Sequence, residues 1–220
     1  MATFPPQVAH ELAGWTLFWA DLDACAPVPE KLAALRQAVA EQARTTHAHA
    51  PLAEHATAAA VRRLFHAAGC DPTRYRPSSE ALLRRVLKGE ELPAIHPFVD
   101  LNNCLSVELV VPTCVLAYGS ALPPFTLRVG RAGEHLLSLR GPIDLAGKPL
   151  LADDAGPFGT PITDGERVRV GRDTSRVWLV CYLPRGVSDP KRAHEALLRQ
   201  LAVAPVAEAR ATAVTPASGG

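Results

Sequence analysis

The pattern of hydrophobic and polar positions places helices in the first half of the chain and strands in the second. The segment WTLFWADL, residues 15–22, is short, largely apolar and rich in aromatic residues, which is typical of a buried strand. In the following VPEKLAALRQAVAEQAR, Leu32, Leu35 and Val39 recur at helical spacing, with charges on the opposite face. A second helix is predicted over 54–67, and a third, SSEALLRRVLK, begins after a proline and ends at a glycine.

The chain after Pro112 consists of short apolar runs that glycine, proline and aspartate interrupt. TCVLAYGSAL, FTLRVG, HLLSLRG and RVWLVCYL are predicted strands, and ERVRV, residues 166–170, alternates as a half-exposed strand does. The segment DPKRAHEALLRQL predicts a closing helix with Asp189 as its cap. Alanine, proline, serine and glycine dominate from Ala204 onward, which predicts a disordered tail.

This order of elements predicts an α+β fold, because helices come first and strands follow without the regular alternation of a doubly wound sheet. We expect a helical N-terminal part packed on a mostly antiparallel, sandwich-like β core. The predicted boundaries are a single domain over 1–203, with its helical part at 24–111, its β-rich part at 112–185 and its closing helix at 189–201, and then a tail at 204–220.

Composition and charge remove several classes of function. The 220 residues are 48% hydrophobic, enough for a substantial core, and the 23 basic and 22 acidic residues leave a net charge of +1. No overall field attracts nucleic acid, so contact with RNA requires a local basic patch and binding to DNA is not expected. The start of the chain lacks the pattern of a signal peptide, and no apolar run is long enough to cross a bilayer, so we expect a cytoplasmic protein without membrane contact.

Familiar catalytic and metal-binding motifs are missing from the sequence. The five cysteines are isolated from one another and odd in number, which favours neither a zinc knuckle nor a disulfide framework, and no cofactor is expected. His47 and His49 stand two residues apart in a predicted loop, a weak metal signal without an acidic or cysteine partner.

Two further pairs allow both a catalytic and a structural interpretation. Asp153 and Asp154 either work as acid and base or form a turn. Cys104 and His96 form either a nucleophile pair or a buried free cysteine beside a turn histidine.

The segment 77–112 carries His96, Asp100, Asn102, Asn103 and Ser106 inside apolar chain. Buried polar groups cost free energy unless each finds a partner. These side chains therefore either hold a turn and a helix end together or line a small-molecule pocket.

Four segments together resemble the B3/B4 editing domain of the phenylalanyl-tRNA synthetase β subunit, and especially its free-standing relatives. They are GCDPTRYRPSSEALLRRVLKGEELPAIHPFVDLNNCLS, LVVPTCVLAYG, LADDAGPF and DGERVRVGRDTSRVWLV. The resemblance covers about residues 15–183 and is most specific over 69–106. It implies the fold of that domain, and it implies hydrolysis of wrongly attached amino acids from tRNA by a positioned water, without a dedicated nucleophile.

The resemblance also points to site residues, although it identifies no catalytic group. Asp100 and Asn103 match a Val-Asp-x-x-Asn pattern, with a role either in the helix start or in the pocket. Glu166 stands where the family has a substrate-recognising glutamate, although Asp164–Gly165 replaces the glycine pair before it. His96 and Thr160 complete the predicted substrate-binding set, with an amino-acid-like ligand. The predicted contacts to aminoacyl-tRNA are basic side chains in or beside the segment 69–106, the hallmark segment of the resemblance: Arg62, Arg63, Arg76, Arg84 and Arg85.

Two other functions remain open from the sequence. One is a non-catalytic module that binds an amino acid, an aminoacyl-tRNA or a protein partner, which the near-neutral charge favours. The other is a small-molecule enzyme that uses the same pocket, which activity on free amino acids or simple esters would identify.

Overall fold

The computed structural model describes residues 3–48, 51–138 and 141–215. Its helices lie mostly in the first half of the chain, as the apolar periodicity predicts. Their bounds are α1 (Pro29–His47), α2 (Ala56–Ala68), α3 (Ser78–Leu87), α4 (Pro97–Leu109) and α5 (Pro190–Val203). The leucines and valines at helical spacing in α1, Leu32, Leu35 and Val39, are buried against the other helices.

Within the described residues, ten strands form two four-stranded sheets and a hairpin. The bounds are β1 (Val8–His10), β2 (Trp15–Ala24), β3 (Thr113–Ala117), β4 (Phe125–Val129), β5 (His135–Ser138), β6 (Gly141–Asp144), β7 (Pro149–Asp153), β8 (Gly156–Gly159), β9 (Arg176–Pro184) and β10 (Ala207–Thr215). The central sheet has the order β10-β2-β9-β3 and is antiparallel throughout. The second sheet has the order β1-β4-β7-β8, with one parallel pair, β1 and β4.

The central sheet separates two hydrophobic cores. Phe18, Ala20 and Leu22 of β2 face the helices, and the alternate residues Leu17 and Trp19 face the second sheet. Strand β2 is therefore buried on both faces, which explains why its residues 17–20, LFWA, are apolar at consecutive positions. The predicted α+β fold, with helices packed on a mostly antiparallel β core, is confirmed.

The predicted disordered tail is wrong for residues 207–215, which form strand β10. This strand pairs with β2 from Ala207 opposite Ala24 to Thr215 opposite Leu17, with a bulge after Ala209. Composition misses it because small residues that cannot build a core by themselves still complete a sheet whose other strands supply the apolar surface. Residues 204–206 of the predicted tail lead into this strand, with Ala204 and Val206 buried, and 216–220 lie outside the described residues.

The predicted strand ERVRV is also wrong. Glu166–Val168 forms a 3₁₀ turn instead, packed on β3, β5 and β8. Val168 is buried, as the alternation requires, but through contacts of this turn and not through strand pairing. Five alternating residues bordered by glycines are too short to separate the two conformations. Among the described residues, no helix is long and apolar enough to span a membrane.

Candidate functional site

A wide groove of about 720 Å³ runs between α3, the start of α4 and the turn that follows β8. Its floor is apolar, with Leu82, Val99 and Ile162, and Asn103 of α4 lies among them. Five cations border it: Arg74, Arg76, Arg84, Arg85 and Lys88. Of the site residues that the sequence predicts, the structure brings Asn103, Arg76, Arg84 and Arg85 together in this α3–α4 groove.

Two polar side chains of the groove have unused hydrogen-bonding capacity. The Ser78 hydroxyl is shielded from solvent and has no hydrogen-bond partner among the described residues. Asn103 is 9% exposed, and its amide makes no hydrogen bond to another described residue. Because buried polar groups are normally paired, the Ser78 hydroxyl points to a ligand or to water in the groove, and the Asn103 amide is free to bind the same ligand.

The start of α4 forms one end of the groove and is fixed by Asp100. One carboxylate oxygen, Oδ1, accepts hydrogen bonds from the backbone N–H of Ile95 at 2.8 Å and of His96 at 3.3 Å. The other oxygen, Oδ2, forms an ion pair with Arg36 at 2.6 Å. Asp100 is 3% exposed, and both of its oxygens are occupied within the fold, so its geometry is that of a helix-start support.

His96 is the N-cap of α4. Its Nδ1 accepts a hydrogen bond from Phe98 N at 3.3 Å, and its ring stacks on that of Phe98. Burial lowers the pKa of His96, an effect that nearby Asp100 partly offsets. A neutral imidazole with Nδ1 as acceptor carries its proton on Nε2. His96 borders the groove next to Ile95 but is not among the residues that line it.

A buried carboxylate organises the arginines beside the groove. Glu80 is 3% exposed and lies in the first turn of α3. Arg62 donates to both of its oxygens at 3.0 and 2.9 Å, Arg84 to one at 2.9 Å, and Arg76 lies 3.7 Å away. Arg76 and Arg84 keep 42% and 48% of their side chains exposed, so their remaining N–H groups stay available for an anion.

The other two predicted tRNA contacts differ in their surroundings. Arg85 pairs with Glu90 at 3.2 Å and donates to the Glu91 carbonyl. Arg63 is exposed on α2, and neither Arg62 nor Arg63 lines the groove.

The turn after β8 forms the wall of the groove and is internally hydrogen-bonded. The hydroxyl of Thr160 donates to Thr163 O at 2.9 Å and accepts from the backbone N–H groups of Ile162 and Thr163. The carbonyl of Pro161 accepts from Ser78 N at 2.9 Å, which fixes the start of α3 to the turn. Thr160 is fully buried and thus shapes the groove from behind, so its predicted substrate contact stays a prediction.

Behind this turn lies a polar cluster of Asp164 and the buried side chains Cys114 and Tyr182. The Cys114 thiol donates to Thr160 O at 3.4 Å and lies 3.9 Å from Tyr182 Oη, and Asp164 Oδ1 is shielded from solvent without a hydrogen-bond partner among the described residues. Burial raises the pKa of Asp164 to about 6. Burial also raises the pKa of the Cys114 thiol, which Asp164 raises further, so this thiol is not an activated nucleophile.

The remaining predicted residues lie outside the groove. Glu166 is exposed at the start of the 3₁₀ turn and does not line the groove. Asp153 forms a two-point ion pair with Arg167 and accepts from Leu122 N and Ala155 N, which is the turn interpretation of the Asp153–Asp154 pair.

Cys104 and His47 show no catalytic or metal-binding geometry, and His47 ends α1 where the sequence predicts a loop. Cys104 is fully buried, and burial raises its pKa to about 12. His47 packs edge-to-face on His55, while His49 lies outside the described residues. In the parts of the chain that the structure describes, no group of three or more His, Cys, Asp or Glu side chains is arranged to hold a metal.

Sequence reasoning missed Ser78, Ile162 and Lys88 as groove residues. Ser78 stands within the hallmark segment, so the sequence places it near the site. That its hydroxyl has no hydrogen-bond partner among the described residues can be seen only in the structure. Ile162 reaches the groove only because the turn after β8 contacts the start of α3, a contact that joins residues far apart in the chain. Local patterns carry no information about such contacts.

Comparison with known proteins agrees with this fold. The model of the B3/4 domain family matches residues 60–215, more than half of the chain. The crystal structure of an N-terminal fragment of the phenylalanyl-tRNA synthetase beta-subunit from Pyrococcus horikoshii has a TM-score of 0.50 and 12% sequence identity to this chain. The similarity covers 98% of this chain but 55% of that fragment, and at this identity it concerns the fold alone. No curated protein sequence matches.

Proposed function

Because the chain belongs to the B3/4 domain family, we propose that its α3–α4 groove binds the aminoacylated end of a tRNA and hydrolyses the ester of a wrongly attached amino acid. One observation carries this proposal. The groove joins an apolar floor and unpaired polar groups with a border of five cationic side chains. Binding of an aminoacylated tRNA 3′ end requires such a combination, since this end presents an amino-acid side chain, an ester and phosphates within a short distance.

The groove residues divide naturally among these tasks. Leu82, Val99 and Ile162 would contact the amino-acid side chain, and the exposed arginines would contact phosphates. Asn103, through its amide N–H, and Ser78, through its hydroxyl, would donate to the oxyanion that forms when water attacks the ester carbonyl. The new bond joins water oxygen to that carbonyl carbon, and the ester bond breaks, with the proton passing to the departing ribose oxygen.

The first test measures deacylation of tRNA charged with each amino acid in turn, against a buffer control. We expect accelerated loss of the ester for one species or a few. Asn103→Ala should then lower kcat/KM by about 100-fold, because it removes a donor to the oxyanion. Glu166→Ala and His96→Ala test whether these two residues, which border the groove or lie beyond it, select the amino acid.

Arg131→Ala is the matched control for the basic border. Arg131 is an exposed arginine in the β4–β5 turn, outside the groove. Arg84→Ala should weaken binding of tRNA and flatten its dependence on salt, whereas Arg131→Ala should leave both unchanged. Absence of acceleration for every charged tRNA would exclude the deacylase activity.

A non-catalytic binding module is the second candidate, and one observation favours it. No residue lining the groove is a histidine, aspartate or cysteine, and its one carboxylate, Glu90, pairs with Arg85. Saturable tRNA or amino-acid binding that Arg84→Ala or Asn103→Ala weakens, without any ester loss, would identify this function.

A further inference from the structure

A second cleft of about 510 Å³ lies between α1 and α5, with the end of α4 as its floor. None of its lining residues lines the α3–α4 groove. Its walls carry Leu35, Val39 and Ala43 from α1 and Val203 from α5, and Val203 is 49% exposed. The size is that of a site for a small molecule or a short peptide.

The floor of this α1–α5 cleft contains a strained residue. Val110 ends α4 in the left-handed conformation, with φ of 57°, and it is the one non-glycine residue with positive φ in the described part of the chain. A β-branched side chain strongly disfavours this conformation. Strained backbone of this kind occurs often at binding sites, so Val110 is a reason to look for a ligand.

The second and independent observation is Gln200, which is 2% exposed and lines the cleft. Its Nε2 donates to Glu108 Oε2 at 2.7 Å, and its Oε1 is buried without a partner. The orientation of the amide is fixed, because a carboxylate only accepts hydrogen bonds. Oε1 is therefore an acceptor that a donor of a bound ligand would satisfy.

The cleft is positively charged at its other end. Glu108 is paired with Arg199 as well as Gln200, which leaves its charge balanced. Arg192, by contrast, has no carboxylate within ion-pair distance among the described residues. It lies near His55, whose Nδ1 is buried without a partner and whose pKa burial lowers, so this imidazole is neutral. This end of the cleft is complementary to an anion.

The spacing of these two ends restricts the ligand. Arg192 and Gln200 lie eight residues apart on α5, which corresponds to ~12 Å along the helix. An extended peptide covers this distance in about four residues, at 3.3–3.6 Å each. A peptide also provides what the walls require: an N–H donor for Gln200, apolar side chains for the valines and leucine, and a carboxylate for Arg192.

We propose that the α1–α5 cleft binds the C-terminal end of a partner protein as an extended peptide of about four residues. Its free carboxylate contacts Arg192, a backbone N–H donates to Gln200 Oε1, and its apolar side chains pack on α1 and on the end of α4. This mode of recognition, capture of a terminal carboxylate together with apolar pockets, does not depend on the activity of the α3–α4 groove.

The test uses fluorescein-labelled tetrapeptide libraries in which each position is Ala, Val, Leu, Ile or Phe. One library has free carboxylates and the other is amidated, and both are titrated with the full chain by fluorescence anisotropy. We expect saturable binding of the free-carboxylate library and at least ten-fold weaker binding of the amidated one. Arg192→Gln should remove this difference, and Gln200→Leu should weaken both libraries.

Arg131→Gln is the control, since it removes an exposed arginine outside the cleft, and thermal unfolding of each variant shows that the fold is intact. Three results would overturn the proposal: no saturable binding of either library, equal binding of the acid and the amide, or displacement of the peptides by decanoate at an equal concentration. The last would show that any apolar acid is sufficient.

Discussion

At the scale of single residues, Asp164 shows how burial and incomplete hydrogen bonding raise the pKa of a carboxyl group. Its pKa in the fold, about 6, lies above the value of 3.8 for an exposed aspartate. The native state therefore binds a proton more tightly than the unfolded state does. It follows that the ionised carboxylate destabilises the fold at neutral pH, and that this penalty disappears as the pH falls toward 4.

Asp164→Asn should raise the free energy of unfolding at pH 7.5 by roughly 1–2 kcal/mol. The full effect of a shift of about two pKa units is ~3 kcal/mol, and the unpaired amide nitrogen of asparagine reduces it. Urea denaturation between pH 4 and pH 7.5 measures the effect. The gain should disappear as the pH falls and the variant should be the less stable of the two near pH 4, where only the unpaired amide still acts. Asp154→Asn, at an exposed turn, should change little throughout. A destabilised variant at pH 7.5 would contradict the prediction.

Which polar residues the sequence identifies depends on how local their contacts are. Asp100 contacts backbone atoms four and five residues away, so the helix-start role, one of the two that its Val-Asp-x-x-Asn pattern leaves open, rests on contacts within a short stretch of sequence. Burial raises the pKa of Asp164, and its neighbours Cys114 and Val115, on a strand that precedes it by many residues, offset this effect only in part. Such a property arises only after folding, and no local pattern contains it.

At the scale of secondary-structure elements, α2 and α3 are joined by one carboxylate. Glu80 of α3 holds Arg62 of α2, and it also restrains Arg76 and Arg84 at the edge of the groove. The contacts of Glu80 that stabilise the helix pair therefore also partly neutralise the arginines that a phosphate would bind. Stability and RNA affinity are expected to change in opposite directions when this carboxylate is neutralised.

Glu80→Gln should lower the free energy of unfolding by about 2 kcal/mol, because a buried site loses its charge and leaves three arginines without their partner. It should also increase the affinity for tRNA at low salt, with a steeper dependence on salt. Glu90→Gln is the control for stability. Its ion pair with Arg85 is about half exposed, and such pairs contribute less than ~1 kcal/mol. Unchanged stability of Glu80→Gln would show that Glu80 does not support the helix pair.

The elements themselves differ in how much the sequence reveals. Strands β2 and β9 are predicted from continuous apolar runs because both of their faces are buried. Strand β10 has a weak pattern, since it forms the edge of the central sheet and four of its nine residues are alanine. Its conformation is decided by the partner strand β2 and not by its own side chains.

At the scale of the whole molecule, β10 closes the central sheet against β2. A chain that ends at Ala204 should lose at least about 3 kcal/mol of unfolding free energy relative to a chain that ends at Thr215. The shorter chain lacks the hydrogen bonds between β2 and β10, and Phe18 and Leu22 of β2 become more exposed to solvent. Size-exclusion chromatography should also show association of the shorter chain, because β2 becomes a long apolar edge strand. Equal urea midpoints and a monomeric elution would contradict the role of β10.

The pairing of β2 with β10 also determines when the protein can fold during its synthesis. Trp19 of β2 donates its indole N–H to Thr215, a residue 196 positions later in the chain. A ribosome releases β2 early, so this apolar segment remains without either strand neighbour until β9, which begins at Arg176, and β10, which begins at Ala207, have been made. The helices form from local contacts in the meantime, whereas the central sheet forms only after β9 and β10 have been made. Chaperones that bind exposed apolar segments would therefore encounter this nascent chain at β2.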